Sequence, residues 1–363
     1  MRSNANTIQQ LLDAGVVRVL CEHAHSQDAE LRHNAVWSLK HLVNDASNSL
    51  RKQCLDELEP GWLVQLITDD TEDDALFARM KAENHVRDDD DYYGDTDMEL
   101  VGDRDEQEQR PWLWPALYRT NSTRSTSQRI HSPRIERAEE RLTALREAEI
   151  NPVRKARSDD LAIQEQGLGF IRNLLGPPGG AAGGAGTDQT EMVDYVFSEL
   201  GQDRLFEILT SKLRTKVLHP FERRYSGIAA AGGGSRAGVD ALSRVVYPQA
   251  RTVENVIFIL VHIAASVPRH RQLVISQTEM LRQVGAHFGS KNGMVRRALC
   301  HLFINLLCRD GQADADSCAA RAGELRRLGF LSKLEALESG DSELDVRERA
   351  RVAVWEMKQL PQQ

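Results

Sequence analysis

The feature that most constrains this chain is a single amphipathic helical pattern that recurs five times. In each copy, apolar residues return every three or four positions and form the wide stripe of a core-facing helix. The fifth position of each copy is small or apolar. The copies span 31–43, 163–175, 252–264, 295–307 and 346–358. Such repetition predicts a stack of similar units, each burying the apolar face of its neighbour.

Shorter amphipathic segments precede the five copies, at 15–20, 61–67, 204–209, 280–284 and 329–334. The last three copies begin 43 and 51 residues apart, whereas the two earlier gaps are much longer. Those long gaps contain low-complexity stretches. When 70–157, 177–187 and 213–250 are set aside, about 226 residues remain, or about 45 per repeat, which is typical of helical solenoid units.

The longest low-complexity stretch changes its charge along its length. Residues 69–109 contain 17 Asp or Glu against four Lys or Arg, with four consecutive aspartates at 88–91. Such a segment repels itself and buries little apolar surface, so we expect disorder there. The basic stretch that follows contains an aromatic island around Trp112 and Trp114. This island is either a docking motif or a local apolar patch with no partner.

Composition and motifs exclude several classes of protein. The 363 residues carry a formal net charge of −8, whereas a nucleic-acid-binding domain is normally basic. The five cysteines never form a Cys-x-x-Cys pair, which argues against a zinc module or a disulfide framework. The longest apolar run, of about 12 residues, is shorter than a membrane span. Since no phosphate loop, nucleophile elbow or metal motif is present, we expect neither an enzyme nor a cofactor or metal.

The recurring helix carries a family resemblance. Residues 35–43 resemble the third helix of an armadillo repeat. The stretches 25–39, 167–175, 261–264 and 325–331, in that order, resemble the C-terminal half of the armadillo scaffold subunit of the GID/CTLH ubiquitin ligase. The resemblance covers all five repeats and none of the insertions. It implies an all-α armadillo fold, a right-handed superhelical solenoid of about five three-helix repeats with long disordered insertions.

This fold predicts how the chain is divided. The divisions are 1–69 for the first repeat and the start of the second, 70–157 for an acidic and then basic disordered insertion, 158–212 for the rest of the second repeat, a Gly-rich loop and the start of the third, 213–250 for a flexible insertion, and 251–363 for the end of the third repeat with the fourth and fifth. Because the chain starts inside a repeat, we expect a C-terminal fragment or a shortened product of a longer solenoid.

One polar and aromatic stripe of the third helices faces away from the core and is the predicted partner-binding groove. Its residues are Asn34, Trp37, His41, Asn173, Asn255, Phe258, His262, His301 and Asn305. In armadillo proteins such a stripe binds extended peptides, and an amide side chain suits this role because it both donates and accepts hydrogen bonds. Alternatively, the aromatic rings pack between repeats and the amides bond the adjacent helix. Gly169 leaves a gap in the stripe.

The resemblance implies a non-catalytic scaffold that links a substrate receptor to the RING-type core subunits of a ubiquitin ligase. The protein would then work in a hetero-oligomeric complex for proteasomal degradation, in the cytoplasm and nucleus, without nucleic-acid or membrane partners. The alternative is an armadillo adaptor of the nuclear-transport type, which binds extended signal peptides. That function requires regular Trp and Asn pairs with acidic neighbours, whereas only the first repeat has the Trp.

Overall fold

The computed structural model describes residues 12–68, 152–177, 185–218 and 244–360, and those ranges are almost entirely helical. The helices are α1 (Val16–Ala24), α2 (Ala29–Leu42), α3 (Asn48–Leu58), α4 (Pro60–Thr68), α5 (Pro152–Leu175), α6 (Ala185–Leu200), α7 (Gln202–Leu213), α8 (Ala250–Ala265), α9 (Pro268–Ser276), α10 (Thr278–Ala286), α11 (Gly293–Leu307), α12 (Ala315–Arg327), α13 (Phe330–Gly340) and α14 (Leu344–Gln359). A short 3₁₀ helix (His287–Gly289) follows α10. Two short strands, β1 (Lys216–Leu218) and β2 (Arg244–Val246), lie between α7 and α8.

The helices repeat in threes. Each complete repeat has two helices followed by a third, and the third helices are α2, α5, α8, α11 and α14. Each third helix packs against the third helix of the next repeat, in chain order. The predicted all-α solenoid of armadillo type is therefore confirmed. All five predicted third helices are present, but α5 begins at Pro152 rather than at 163.

The structure places regular elements inside two segments that were predicted to lack them. Helix α5 includes residues 152–157, which the sequence analysis assigned to the disordered insertion 70–157. Within the predicted flexible insertion 213–250, β1 pairs antiparallel with β2, with Lys216 opposite Val246 and Leu218 opposite Arg244. Both strands are rich in Val or Leu, and β-branched residues favour a strand. Trp112 and Trp114 lie outside the part of the chain that the structure describes.

One continuous apolar core joins the repeats. It extends from Val17 in α1 to Met357 in α14. Between the last two repeats, the rings of Phe303 and Phe330 lie 4.6 Å apart, and Phe288 lies within 6.0 Å of both. Since each repeat contacts chiefly its neighbours, the core is a chain of interfaces rather than one central cluster.

A glycine in α5, at the fifth position of the recurring pattern, lets a neighbouring helix approach closely. A Cβ added at Gly167 would lie 2.9 Å from Cγ2 of Ile67 and 3.1 Å from Cδ2 of Leu66, both on α4. A side chain at this position would force the two helices apart. The small residue in the recurring pattern therefore sets the distance between the second and third helices of the second repeat.

Buried arginines bond the C-terminal ends of the third helices. These ends carry carbonyl groups without a helical partner. Arg51 on α3 is 0% exposed and donates to the carbonyl oxygens of Val43, 3.3 Å away, and Gly176, 2.7 Å away. Those oxygens follow α2 and α5 respectively. One guanidinium thus joins the ends of two successive third helices, and its burial lowers its pKa.

The same device recurs in the later repeats with different residues. Arg271 on α9 donates to the carbonyl of Ala264 at 2.9 Å and to Asp310 at 3.2 Å. Arg321 on α12 donates to the carbonyl of Leu306 at 2.9 Å. In the third repeat a buried amide replaces the guanidinium: Gln189 on α6 donates to the carbonyls of Leu175 and His262, each 3.2 Å away. The first helix of each repeat from the second to the fifth therefore carries a polar side chain that caps the preceding third helix.

Replacing Arg321 with Met should lower the free energy of unfolding by about 3 kcal/mol, because it removes two hydrogen bonds from a buried carboxylate. Arg321 is 1% exposed and makes two bonds to Asp314, of 3.0 and 2.8 Å, and Asp314 is 5% exposed. Thermal unfolding followed by circular dichroism measures the loss. The matched control is Arg282→Met, because the Arg282 side chain is 71% exposed. Equal melting temperatures for the two variants would show that the buried pair contributes little.

Candidate peptide-binding groove

The stacked third helices present equivalent positions side by side, and these form rows across the repeats. The Trp37 row contains Trp37, Gly169, Phe258, His301 and Val352. The His41 row contains His41, Asn173, His262, Asn305 and Glu356. The Asn34 row contains Asn34, Gln166, Asn255, Ala298 and Arg349. We call the surface formed by these three rows the groove.

The Trp37 row provides the apolar surface of the groove. Trp37 is 48% exposed, and its only described ring contact is with His41 on the same helix, at 4.4 Å between centroids. Val352, at the other end of the row, is 46% exposed. Phe258 is half-buried, with the rings of His262 and His301 at 6.4 and 6.5 Å. Trp37 is thus not enclosed between repeats, whereas Phe258 is partly enclosed.

The gap at Gly169 is filled from the preceding repeat. A Cβ added at Gly169 would lie 2.9 Å from Cδ of Lys40. The Lys40 stem therefore lies across the glycine, and its ammonium donates to the amide oxygen of Gln166 at 3.1 Å. A lysine buries its methylene stem while its charged end stays at the surface. The middle of the groove thus carries a cation where the other repeats carry a ring or an aliphatic side chain.

A second cation lies over the aromatic ring of the third repeat. The guanidinium carbon of Arg172 is 3.9 Å from the centroid of Phe258, a cation–π contact. Arg172 also donates to Asn255 at 3.2 Å and lies 3.4 Å from Glu254. Arg172 occupies on α5 the position that Lys40 occupies on α2. Neither cation belongs to the stripe predicted from the sequence, because both lie one position outside it.

The predicted amides mainly connect neighbouring third helices. Asn173 donates to the carbonyl of Lys40 at 2.9 Å, and Asn305 donates to the carbonyl of Val261 at 3.0 Å. These two bonds are equivalent, since Lys40 and Val261 lie at matching positions. Asn255 is 9% exposed and donates to the carbonyl of Glu165 at 3.3 Å.

These bonds agree with the alternative in which the amides hold the helices together. Each amide commits one N–H to the neighbouring helix. Asn34, on α2, differs because it is exposed and its described side-chain hydrogen bond is with the adjacent His33 ring, at 3.4 Å. Of the predicted amides, Asn34 is the one that faces solvent.

Burial and neighbouring arginines lower the pKa of two groove histidines, His262 and His301. Burial, followed by the charges of Arg172 and Arg51, lowers the pKa of His262 to about 4. Burial also lowers the pKa of His301, with Arg349 and Arg297 acting in the same direction. His262 is therefore neutral at physiological pH. These rings act as polar packing groups and not as charged ones.

The described ranges contain none of the features of a metal centre or a bilayer span. No group of three or more His, Cys, Asp or Glu side chains comes together there in a way that could hold a metal ion. Among the described helices, none has the length and apolarity that crossing a bilayer requires. What the geometry does provide is a long, partly aromatic surface with cations at its centre.

A model of the armadillo/beta-catenin-like repeat matches residues 4–43. A search of the curated proteins finds no match. Among solved structures, the chain is similar to an engineered protein with 14% identity, a TM-score of 0.42 and coverage of 94% of this chain and 98% of that one. It is also similar to a designed armadillo repeat protein, with 12% identity, a TM-score of 0.39 and coverage of 94% and 99%. The same values apply to a structure described as computationally designed armadillo repeat proteins for modular peptide recognition.

Asn173→Ala and Asn305→Ala should each lower the free energy of unfolding by about 1–2 kcal/mol, because each removes a hydrogen bond between repeats. Asn34→Ala is the matched control and should change it by less than about 0.5 kcal/mol. Urea unfolding followed by far-ultraviolet circular dichroism compares the three variants. If Asn34→Ala proved as costly as the other two, the amide bonds would not be what stabilises the stack.

His262 should show no titration above about pH 5, because its pKa is near 4. Between the usual histidine pKa of 6.5 and this value, the unfolded chain binds more protons than the folded one. Stability should therefore be complete above about pH 6.5 and fall as the pH drops toward 4. Proton NMR of the histidine ring signals measures the titration, and His262→Gln assigns the signal and should flatten this slope. A His262 signal that titrates near pH 6.5 would contradict the proposed burial.

Proposed function

We propose that this protein is a non-catalytic armadillo scaffold that binds an extended segment of a protein partner along the groove. The observation that carries the proposal is the exposure of Trp37, at 48%, on a row that continues through Phe258 and His301 to the exposed Val352. Exposed tryptophans on a surface rimmed by polar groups are typical of protein-binding sites.

The spacing of the rows favours an extended ligand. Packed helices lie about 8–10 Å apart, whereas an extended peptide rises about 3.3 Å per residue. A peptide lying across the third helices would therefore meet a new repeat about every three residues. About every third side chain would then approach the Trp37 row, so about twelve residues would span four repeats.

The finer proposal is that the partner segment belongs to a substrate receptor, and that the solenoid links this receptor to the RING-type core of a GID/CTLH-type ubiquitin ligase. The support is the sequence resemblance of 25–39, 167–175, 261–264 and 325–331 to the scaffold subunit of that complex. In that case the protein works in the cytoplasm and nucleus, and its partners are proteins. Its contribution to ubiquitin transfer is to hold other subunits in place.

Affinity purification of the full chain from native cells tests both levels of this proposal. The wild-type protein should recover a RING-type pair and a substrate receptor. The Trp37→Ala/Phe258→Ala variant should lose the receptor, because the apolar surface of the groove is removed, while its helical circular dichroism stays close to that of the wild type. Tyr247→Ala is the matched control, since Tyr247 is 59% exposed and lies outside the rows.

The outcomes separate the alternatives. Recovery of neither a RING-type pair nor a receptor would remove the ligase proposal. Tight, groove-dependent binding of a basic peptide would instead favour the nuclear-transport type of adaptor. If the double variant loses its helical signal, the two rings serve the fold and the groove proposal fails.

A further inference from the structure

The centre of the groove differs in chemistry from its two sides. The exposed ring of Trp37 lies on α2, and the half-buried ring of Phe258 lies on α8, two repeats further along. The helix between them contributes Gly169, which has no side chain. An inference about this region rests on the proposed function, because it concerns which peptide side chain the groove accepts at that point.

Two cations define this central region. The stem of Lys40 crosses Gly169, 2.9 Å from the position of an added Cβ, and Arg172 stacks on Phe258 at 3.9 Å. The two residues hold the same position on successive third helices, so they lie one repeat apart along the groove. Lysine binds a carboxylate as a point charge, and arginine binds it through paired N–H donors.

Two carboxyl groups and one groove histidine lie near these cations. Glu254 lies 3.4 Å from Arg172, and Glu165 contributes a half-buried carboxyl whose pKa is raised by burial. At His262, in the adjacent row, the charges that shift the pKa are those of Arg172 and Arg51, and both are positive. The charge of Arg172 therefore still acts on His262, although Glu254 lies beside it.

We propose that Lys40 and Arg172 form a subsite for an acidic side chain, an aspartate or glutamate of the extended partner segment. Apolar residues on either side of this acid pack against Trp37 and Phe258. A lysine or arginine at the same place in the ligand meets two like charges, which disfavours basic segments. The subsite thus selects acidic partner segments over basic ones.

The test begins with selection of peptides of about twelve residues from a random display library on the full chain. For one selected peptide, fluorescence anisotropy then gives the Kd of the peptide and of a form in which Asp and Glu are replaced by Asn and Gln. We expect the selected peptides to be acidic. We expect neutralisation to weaken binding to the wild type about tenfold, with a smaller difference at high salt.

Two variants assign the effect to the subsite. Lys40→Met keeps the stem across Gly169 and removes its charge, and Arg172→Gln removes the second cation. Each should weaken the acidic peptide about three- to fivefold, and the double variant should bind the acidic and neutral forms about equally. The matched controls are Arg18→Met and Arg282→Gln, because these side chains are 74% and 71% exposed on second helices. They should leave the difference between the two peptides unchanged.

Three results would overturn the inference, and they differ in what else they remove. Equal binding of the acidic and neutral peptides by the wild type removes the subsite and leaves the groove intact. If Trp37→Ala weakens no selected peptide, the proposed function fails as well. If a peptide of residues 86–95 binds this site more tightly than every selected peptide, the occupant is the acidic segment of this chain and not a partner.

Discussion

The hydrogen bonds at the C-terminal ends of the third helices are the interaction on which the rest of the array depends. A solenoid has no central core, so the alignment of one repeat on the next must be fixed at each interface. Apolar packing between helices is non-directional, whereas a guanidinium bonded to two helix ends allows little rotation or sliding. Arg51 forms such a link between α2 and α5. Because the rows of the groove cross several helices, their continuity requires this alignment.

The interior of the array keeps full positive charges because they bond carbonyl groups at helix ends. Arg51, Arg271 and Arg321 are at most 1% exposed, and burying an isolated charge is costly. This cost is offset because each arginine bonds carbonyl groups at helix ends that would otherwise be unsatisfied. The negative end of the helix dipole also favours a cation there. Gln189 performs the same task without charge. What the position requires is a long donor side chain, and the charge itself is optional.

The apolar period of the chain was enough to predict the five third helices and the solenoid, but not the details of the groove. Helix periodicity reports which side of a helix is buried, so 31–43 and 295–307 were identifiable from the sequence alone. The period does not report the partners of side chains. Asn173 and Asn305 therefore looked like ligand-binding amides, although each bonds the helix before it. Lys40 was missed for the same reason, because the place of its stem depends on a glycine that lies far away in sequence.

The pairing of β1 with β2 has a further consequence for how this chain tolerates change. Backbone hydrogen bonds hold Leu218 opposite Arg244, so the chain leaves and re-enters the array at two adjacent points. Loop-closure entropy grows slowly with length, by about 0.6 kcal/mol for each doubling. Residues added between the two strands should therefore cost little stability. A tag or a whole reporter domain inserted there should leave the pairing of β1 with β2, and with it the alignment of α7 and α8, unchanged.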